Sequence, residues 1–351
     1  MKKFYAISIV LLALTFHANA KVWRVNNTIG LQADFTTIID AVNAAAAGDT
    51  IYVEGSATSY TGTTINKKLT IIGPGIYLGD PNNGNRQWNV NVATVGHLVF
   101  APGSAGSKCA GLYMNSYQYL NEQKITIERC FVEQIVFANG NNINCDHDTI
   151  RQCVIYSAIV CQPNTGTFSA QGEMVYNNII NAGIDFSKNM ANTSVYFINN
   201  DFVANGNSYR CQNCVFQNNI FYNPFFSDYG SSNYFANNIV STGSDASKIA
   251  TGNNNLFSVG WSTLFATSTP NISTPPSGFS HDGQFILASG SPAIGAGSIN
   301  GTTVDCGFFG GAAPYILSGM PNIPSIYALS VPAQVNNGTQ SINISLSSAA
   351  H

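Results

Sequence analysis

The densest group of side chains that could do chemistry is Asp146-His147-Asp148, which Arg151 follows three residues later. Glu173 occupies the position of Asp148 in the next unit of an internal repeat. Two carboxylates held one strand spacing apart repel, so one is protonated or they share a cation such as Ca²⁺. Asp146, Asp148 and Glu173 are therefore candidate metal ligands. With His147 or Arg151 as proton acceptor, Asp148 and Glu173 are candidate catalytic groups for β-elimination on an acidic sugar.

The same residues also fit a purely structural interpretation. Glu128 and Arg151 occupy equivalent positions in adjacent units, which predicts an ion pair between them, and Asp146 suits a turn cap. Asp201 stands where the other units have apolar residues. It is either a functional carboxylate or an outward-facing turn residue, and the pattern favours the turn.

The repeat that positions these side chains runs from residue 125 to residue 241. Six segments align on a central pair of residues, and the second member of the pair, here called the anchor, is always Asn or Cys. The anchors are Cys130, Cys153, Asn178, Asn200, Asn219 and Asn238. The residue three before each anchor and the residue two after it are apolar in all six segments.

A period of 19 to 25 residues with short strands and no helical pattern is typical of a β-solenoid, in which each unit forms one coil. Coils stack about 4.8 Å apart, so every aligned position becomes a column. The two apolar columns form the interior. The anchor column predicts an Asn ladder at a turn, because Asn tolerates left-handed backbone and its amide can bond the neighbouring coils. Cys130 and Cys153 then lie near bridging distance, although buried free thiols are favoured over a disulfide there.

An Asn ladder beside aromatic and aliphatic stacks resembles the right-handed parallel β-helix of the pectin-lyase-like superfamily, over nearly all of the chain after its first 20 residues. The resemblance implies an all-β fold, while the activities of that superfamily range from lyases and hydrolases to phage tailspikes and adhesins. The pectate-lyase and polygalacturonase branches carry paired aspartates, Gly-His-Gly, Arg-x-Lys or Trp-Ile-Asp-His, and none of these motifs occurs here. Their absence favours a binding or structural protein over an enzyme.

The ends of the chain differ from its centre. Lys2 and Lys3, an apolar run and Ala18-Asn19-Ala20 predict a secretory signal peptide, and no later stretch predicts a membrane span. Apolar spacing from residue 35 to residue 42 predicts a short amphipathic helix with Asp34 as its N-cap. The alternating final stretch, with a turn at residues 336–338, predicts a β-hairpin. The predicted divisions are residues 1–20 signal peptide, 21–54 N-terminal helical cap, 55–315 parallel β-helix and 316–351 C-terminal β-hairpin cap.

Composition supports an exported, glycan-binding protein. Charged residues are 9% of the chain, against about 25% in an average protein, and a net charge of −3 gives no basis for binding nucleic acid. We therefore predict a secreted or cell-surface β-helix protein that binds polysaccharide or another macromolecule without catalysis. The alternative is a polysaccharide lyase or glycoside hydrolase acting on an acidic glycan at an outer face. No cofactor is indicated other than the candidate Ca²⁺.

Overall fold

A computed structural model describes residues 20–83, 87–165, 167–187, 193–204, 208–226, 232–241, 249, 253–331 and 344–349. Residues 1–19 of the predicted signal peptide and the predicted turn at residues 336–338 lie outside this part of the chain. The fold is a parallel β-solenoid, as predicted, built from two long parallel sheets. No helix among the described residues has the length and apolar character needed to cross a membrane.

The first sheet is a ladder of ten parallel strands, with one further short strand, Ile143–Asn144, beside it. The ten strands are Val22–Val25, Thr50–Val53, Thr70–Ile72, Lys108–Ala110, Thr126–Glu128, Thr149–Arg151, Phe168–Tyr176, Thr193–Ile198, Val215–Gln217 and Tyr234–Ala236. The ladder therefore already includes residues 22–25 and 50–53, which were predicted to belong to an N-terminal cap.

The second sheet has fourteen strands. They are Thr63–Ile65, Thr94–Val95, Leu98–Phe100, Tyr113–Leu120, Phe131–Gly140, Val154–Ile155, Ile159–Pro163, Ile179–Ile180, Ile184–Asp185, Asp201–Phe202, Ser208–Arg210, Ile220–Phe221, Phe225–Phe226 and Ile239–Val240. Each coil passes from the first sheet through the central pair into the second sheet.

The interior contains the predicted apolar columns. Every residue of both columns in the six aligned coils is at most 3% exposed. Phe197 stacks on Phe216 with ring centroids 4.9 Å apart, and Phe202 stacks on Phe221 at 4.6 Å. Stacked rings on successive coils bury large apolar areas in register, which is the main source of stability in this fold.

The turn between the two sheets confirms the Asn ladder and corrects one detail of it. The amides of Asn178, Asn200, Asn219 and Asn238 each donate to the next anchor at 2.9–3.0 Å, and the ladder continues to Asn255. The left-handed backbone, however, falls on the residue before the anchor. The residues at this position have φ between 53° and 64°, and the set extends to the coils before and after the six aligned ones. They are Gly111, Arg129, Gln152, Asn177, Asn199, Asn218, Asn237 and Asn254. We call this set the corner column.

A second layer covers the outer face of the second sheet. Residues 259–322, which we call the strap, pack onto the outward-facing Phe131, Val154, Ile179, Ile220 and Ile239 to form a second hydrophobic core. The strap contributes Leu264, Phe265, Ile272, Phe285, Ala293, Cys306, Phe308 and Tyr315 to this core. It contains the 3₁₀ turns Trp261–Thr263, Gly283–Phe285 and Leu317–Gly319 and the antiparallel pair Gly297–Ile299 and Thr302–Val304.

The corner column holds the strap in place. Asn218, Asn199, Asn177, Gln152 and Arg129, on successive coils, donate from their side chains to backbone carbonyls of the strap. The carbonyls belong, in the same order, to Ser298, Asp305, Gly310, Pro314 and Met320. The strap therefore crosses five coils in reverse sequence order, from the coil of Asn218 back to the coil of Arg129.

Asp201 belongs to this contact between the solenoid and the strap. It faces outward as expected, but it is not a turn residue: it lies in a strand, pairs with Ile179 and Ile220, and is 1% exposed because the strap covers it. Its Oδ1 accepts the N–H of Phe308 at 3.1 Å. A Cβ added at Gly307, where φ is +84°, would lie 2.3 Å from the same oxygen, so the strap needs glycine there.

The predicted terminal elements are present. The helix is Ile38–Ala44, and it packs Ile38, Ala41 and Val42 against the main core. Its N-cap is Thr37, not Asp34, whose carboxylate accepts the N–H of Arg24. The hairpin consists of Ser325–Ser330 and Ser345–Ala349. The backbone N–H of Trp88 donates to the carbonyl of Ile326 at 2.7 Å, so the hairpin lies beside the loop at residues 87–90. That either element caps an end of the solenoid stays a prediction.

All eight cysteines are buried and none forms a disulfide bond, as was favoured for Cys130 and Cys153. Burial raises the pKa of Cys109 and Cys153 well above the ordinary thiol value. Since the thiolate is the reactive species, we expect native protein to show almost no reaction with a thiol reagent and denatured protein to show eight reactive thiols. Counting thiols by absorbance before and after denaturation measures this. Fewer than eight after denaturation without reductant would indicate a disulfide.

Candidate functional site

The predicted acid pair exists, but it lies in the solenoid interior. Asp148 and Glu173 are neighbours on adjacent coils and are 1% and 0% exposed. Asp148 Oδ1 accepts the N–H of Ile125 at 2.7 Å, and Glu173 Oε2 accepts the N–H of Asp148 at 2.7 Å. Each carboxyl group therefore binds the backbone of the preceding coil, as Asn178 Oδ1 binds the N–H of Cys153 at the other corner. The pair forms part of a second buried ladder.

Burial favours the protonated form of both carboxyl groups. Loss of solvent contact raises the pKa of Asp148 well above its ordinary value, against the opposing effect of the Ile125 N–H. Burial and then the charge of Asp148 raise the pKa of Glu173 to about 11. Asp148 Oδ2 and Glu173 Oε1 have no hydrogen-bond partner among the described residues. Two carboxylates on adjacent coils repel each other when both are ionised, and this repulsion also favours protonation.

The other predicted site residues lie elsewhere around the pair. His147 is exposed, with left-handed backbone, and its ring lies over Gly172. Asp146 Oδ1 accepts the Ser169 hydroxyl at 2.6 Å and the Gln171 N–H at 2.9 Å, so Asp146 links adjacent coils and does not cap a turn as predicted. The described residues contain no group of three or more His, Cys, Asp or Glu side chains able to hold a metal ion.

Arg151 lies on the outer face of the first sheet and pairs with Glu128, which confirms the structural alternative. Arg151 Nε donates to Glu128 Oε2 at 2.8 Å, and Arg151 Nη1 donates to the hydroxyl of Tyr176 at 2.9 Å. Lys108 Nζ lies 2.5 Å from Glu128 Oε1. Burial alone would raise the pKa of Glu128, but these cations lower it below its ordinary value. The predicted catalytic set is thus divided between the interior and the outer surface of one wall.

A different site lies on the outer face of the second sheet, where the strap leaves that face open. A cleft of about 530 Å³ is lined by four aromatic side chains, two carboxylates and a histidine. These are Tyr77, Tyr113, Phe131 and Tyr156 with Asp80, Glu133 and His281. We call it the aromatic cleft. Its volume and its apolar lining with a few polar groups are those of a ligand-binding site.

Successive coils and the strap position these side chains. Tyr113 and Phe131 occupy paired positions on adjacent strands, and their rings stack 4.1 Å apart at 3°. Tyr156 follows on the next coil, 36% exposed, and its hydroxyl lies 3.1 Å from that of Ser273 in the strap. The stacked rings of Tyr113 and Phe131 form a rigid wall because each of these residues belongs to a strand.

The cleft also contains a carboxylate–imidazole pair, next to Tyr77. His281 Nδ1 lies 2.6 Å from Asp80 Oδ2, and the same oxygen accepts the backbone N–H of His281 at 2.8 Å. The imidazole stacks on Tyr77 with ring centroids 4.8 Å apart. A carboxylate bound to one ring nitrogen fixes the orientation of the other. Burial raises the pKa of Tyr77 well above its ordinary value, so its phenol stays protonated.

Sequence reasoning missed the aromatic cleft because His281 follows Asp80 by 201 residues. One signal was present. The residue after the anchor is apolar in five of the six aligned coils, directly before the apolar interior column. Two consecutive apolar positions in a strand place one of them on the outer face, which predicts a second layer covering that face.

In comparisons with known proteins, no family model, no curated protein and no solved structure matches this chain.

Proposed function

We propose that this chain is an exported β-solenoid protein that binds a glycan in the aromatic cleft. The observation that carries the proposal is the cleft itself: a rigid aromatic wall beside carboxylates, in a space of about 530 Å³. Aromatic rings offer apolar area to the C–H faces of sugars, while carboxylates and phenols hydrogen-bond sugar hydroxyls. The predicted signal peptide and the resemblance to the right-handed parallel β-helix of the pectin-lyase-like superfamily support the same proposal.

Tyr156→Ala tests the proposal. We expect it to weaken glycan binding about tenfold or more, because a well-placed aromatic side chain at a binding site contributes upwards of about 1.4 kcal/mol. The measurement is a dissociation constant by calorimetry, after affinity electrophoresis against neutral, amine-bearing and acidic polysaccharides has identified a ligand.

Tyr196→Ala is the matched control, since Tyr196 is 40% exposed but lies on the first sheet, away from the cleft. It should bind like the wild type, and both variants should keep the wild-type melting temperature. Equal loss of affinity in the two variants, or no binding to any polysaccharide, would contradict the proposal.

The Asp80–His281 pair favours one second candidate, a polysaccharide lyase or glycoside hydrolase. An imidazole oriented by a carboxylate is a common general base, and Glu133 in the same cleft is a candidate acid. The same polysaccharide panel distinguishes the two functions when it is read for unsaturated products and new reducing ends. Products from the wild type that His281→Ala abolishes, with binding retained, would identify an enzyme.

A further inference from the structure

We infer that the aromatic cleft is selective for a sugar that carries a protonated amine; this rests on the proposed function and specifies its ligand. The cleft is anionic where a ligand would lie. Glu133 is half-buried in its wall and forms no ion pair with any described residue. No Lys or Arg stands among the described residues that line the cleft, and Asp80 is already bound to His281.

The aromatic lining attracts the same kind of ligand. A cation close to a Tyr or Phe ring is attracted by its electron-rich face, and the attraction grows where water is displaced. Four aromatic side chains line this cleft together with Glu133. Tyr113 and Phe131 stack on each other and Tyr77 stacks on His281, so Tyr156, which is 36% exposed, is the ring most open to a ligand. An ammonium group on a sugar would gain from both the rings and Glu133, whereas a uronic acid would bring a second negative charge close to Glu133 in a partly dehydrated space.

The test compares three oligosaccharides of equal length by calorimetry with the purified protein at pH 6 and low salt. They are a glucosamine oligomer, its N-acetylated form and an oligogalacturonate. We expect the glucosamine oligomer to bind at least tenfold more tightly than the N-acetylated form, and the oligogalacturonate not to bind. Added salt should weaken binding of the glucosamine oligomer alone, because only that ligand is held by charge.

Glu133→Gln separates the charge from the shape of the cleft. We expect it to weaken binding of the glucosamine oligomer about tenfold and to leave binding of the N-acetylated oligomer unchanged. Asp185→Asn removes the same charge at an exposed ion pair with Arg210, outside the cleft, and should change neither value.

Each remaining outcome decides one claim. Equal binding of all three oligomers with loss in Tyr156→Ala, or tighter binding of the oligogalacturonate, would overturn the amine selectivity and keep the glycan-binding function. Equal weakening by Glu133→Gln and Asp185→Asn would attribute the preference to net charge and overturn the role of Glu133. No binding of any oligomer or polysaccharide would overturn both.

Discussion

Replacing Asn200 by Ala should lower the free energy of unfolding by about 3 kcal/mol or more, since each buried polar group left without a partner costs about 1–3 kcal/mol. The Asn200 amide donates to the Val175 carbonyl at 2.8 Å and to Asn219 Oδ1 at 3.0 Å. Its oxygen accepts the backbone N–H of Asn178 at 3.0 Å and the Asn178 amide at 2.9 Å. Alanine would leave two donors of Asn178 and one carbonyl unpaired in a dry interior.

Urea unfolding followed by circular dichroism measures this loss, with Asn253→Ala as the control. Asn253 also lies in the Asn-rich part of the chain but is exposed, so its loss should change stability by less than about 0.5 kcal/mol. An Asn200→Ala midpoint within error of the wild type would show that the ladder contributes nothing to stability.

We expect the protein to become less stable as pH rises from about 5 to 8, the reverse of ordinary acid denaturation. The buried carboxyl groups of Asp148, Glu173 and Asp201 have their pKa raised by burial. Above about pH 4 these groups lose their protons in the unfolded chain, whereas in the folded protein they hold them to higher pH. The folded state then binds more protons than the unfolded state, so the free energy of unfolding falls with rising pH, by up to about 1.4 kcal/mol per pH unit for each group.

Glu173→Gln isolates one contribution to this slope. Glutamine is neutral at every pH and keeps an oxygen to accept the N–H of Asp148. The variant should therefore show a flatter profile and a higher melting temperature than the wild type at pH 8. Glu133→Gln, which makes the same chemical change outside the interior, is the control for the substitution. A melting temperature that rises steadily from pH 5 to pH 8 in the wild type would contradict the buried, protonated state.

The periodic part of the fold could be predicted from the sequence because stacking turns each alignment column into a physical contact. The interior columns, the Asn ladder and the Arg151–Glu128 pair all follow from register alone, since each involves equivalent positions on adjacent coils. The left-handed residue was assigned one position too late. Both members of the central pair are Asn in several coils, and residue type does not show which one makes the turn.

The site could not be predicted in the same way because periodicity carries no information about the strap. Asp148 and Glu173 stand at equivalent positions, but acidic side chains are expected to face solvent, and here both face the interior. His281, Asp80 and Tyr77 meet only after the chain has returned across the solenoid. Asp201 was misjudged for the same reason, since an acid on the outer face is expected to meet water, and here it meets the strap.

The strap also fixes how long the solenoid can be. In a simple solenoid each repeat contacts only its neighbours, so a unit can be gained or lost with little effect on distant units. Here five successive corners, from Asn218 to Arg129, each bind their own place on one returning segment. A duplicated coil would move the later corner side chains away from the strap carbonyls that they bind, and a deleted coil would leave the strap too long for the remaining corners. A change in the number of coils between Arg129 and Asn218 therefore requires a matching change in the length of the strap.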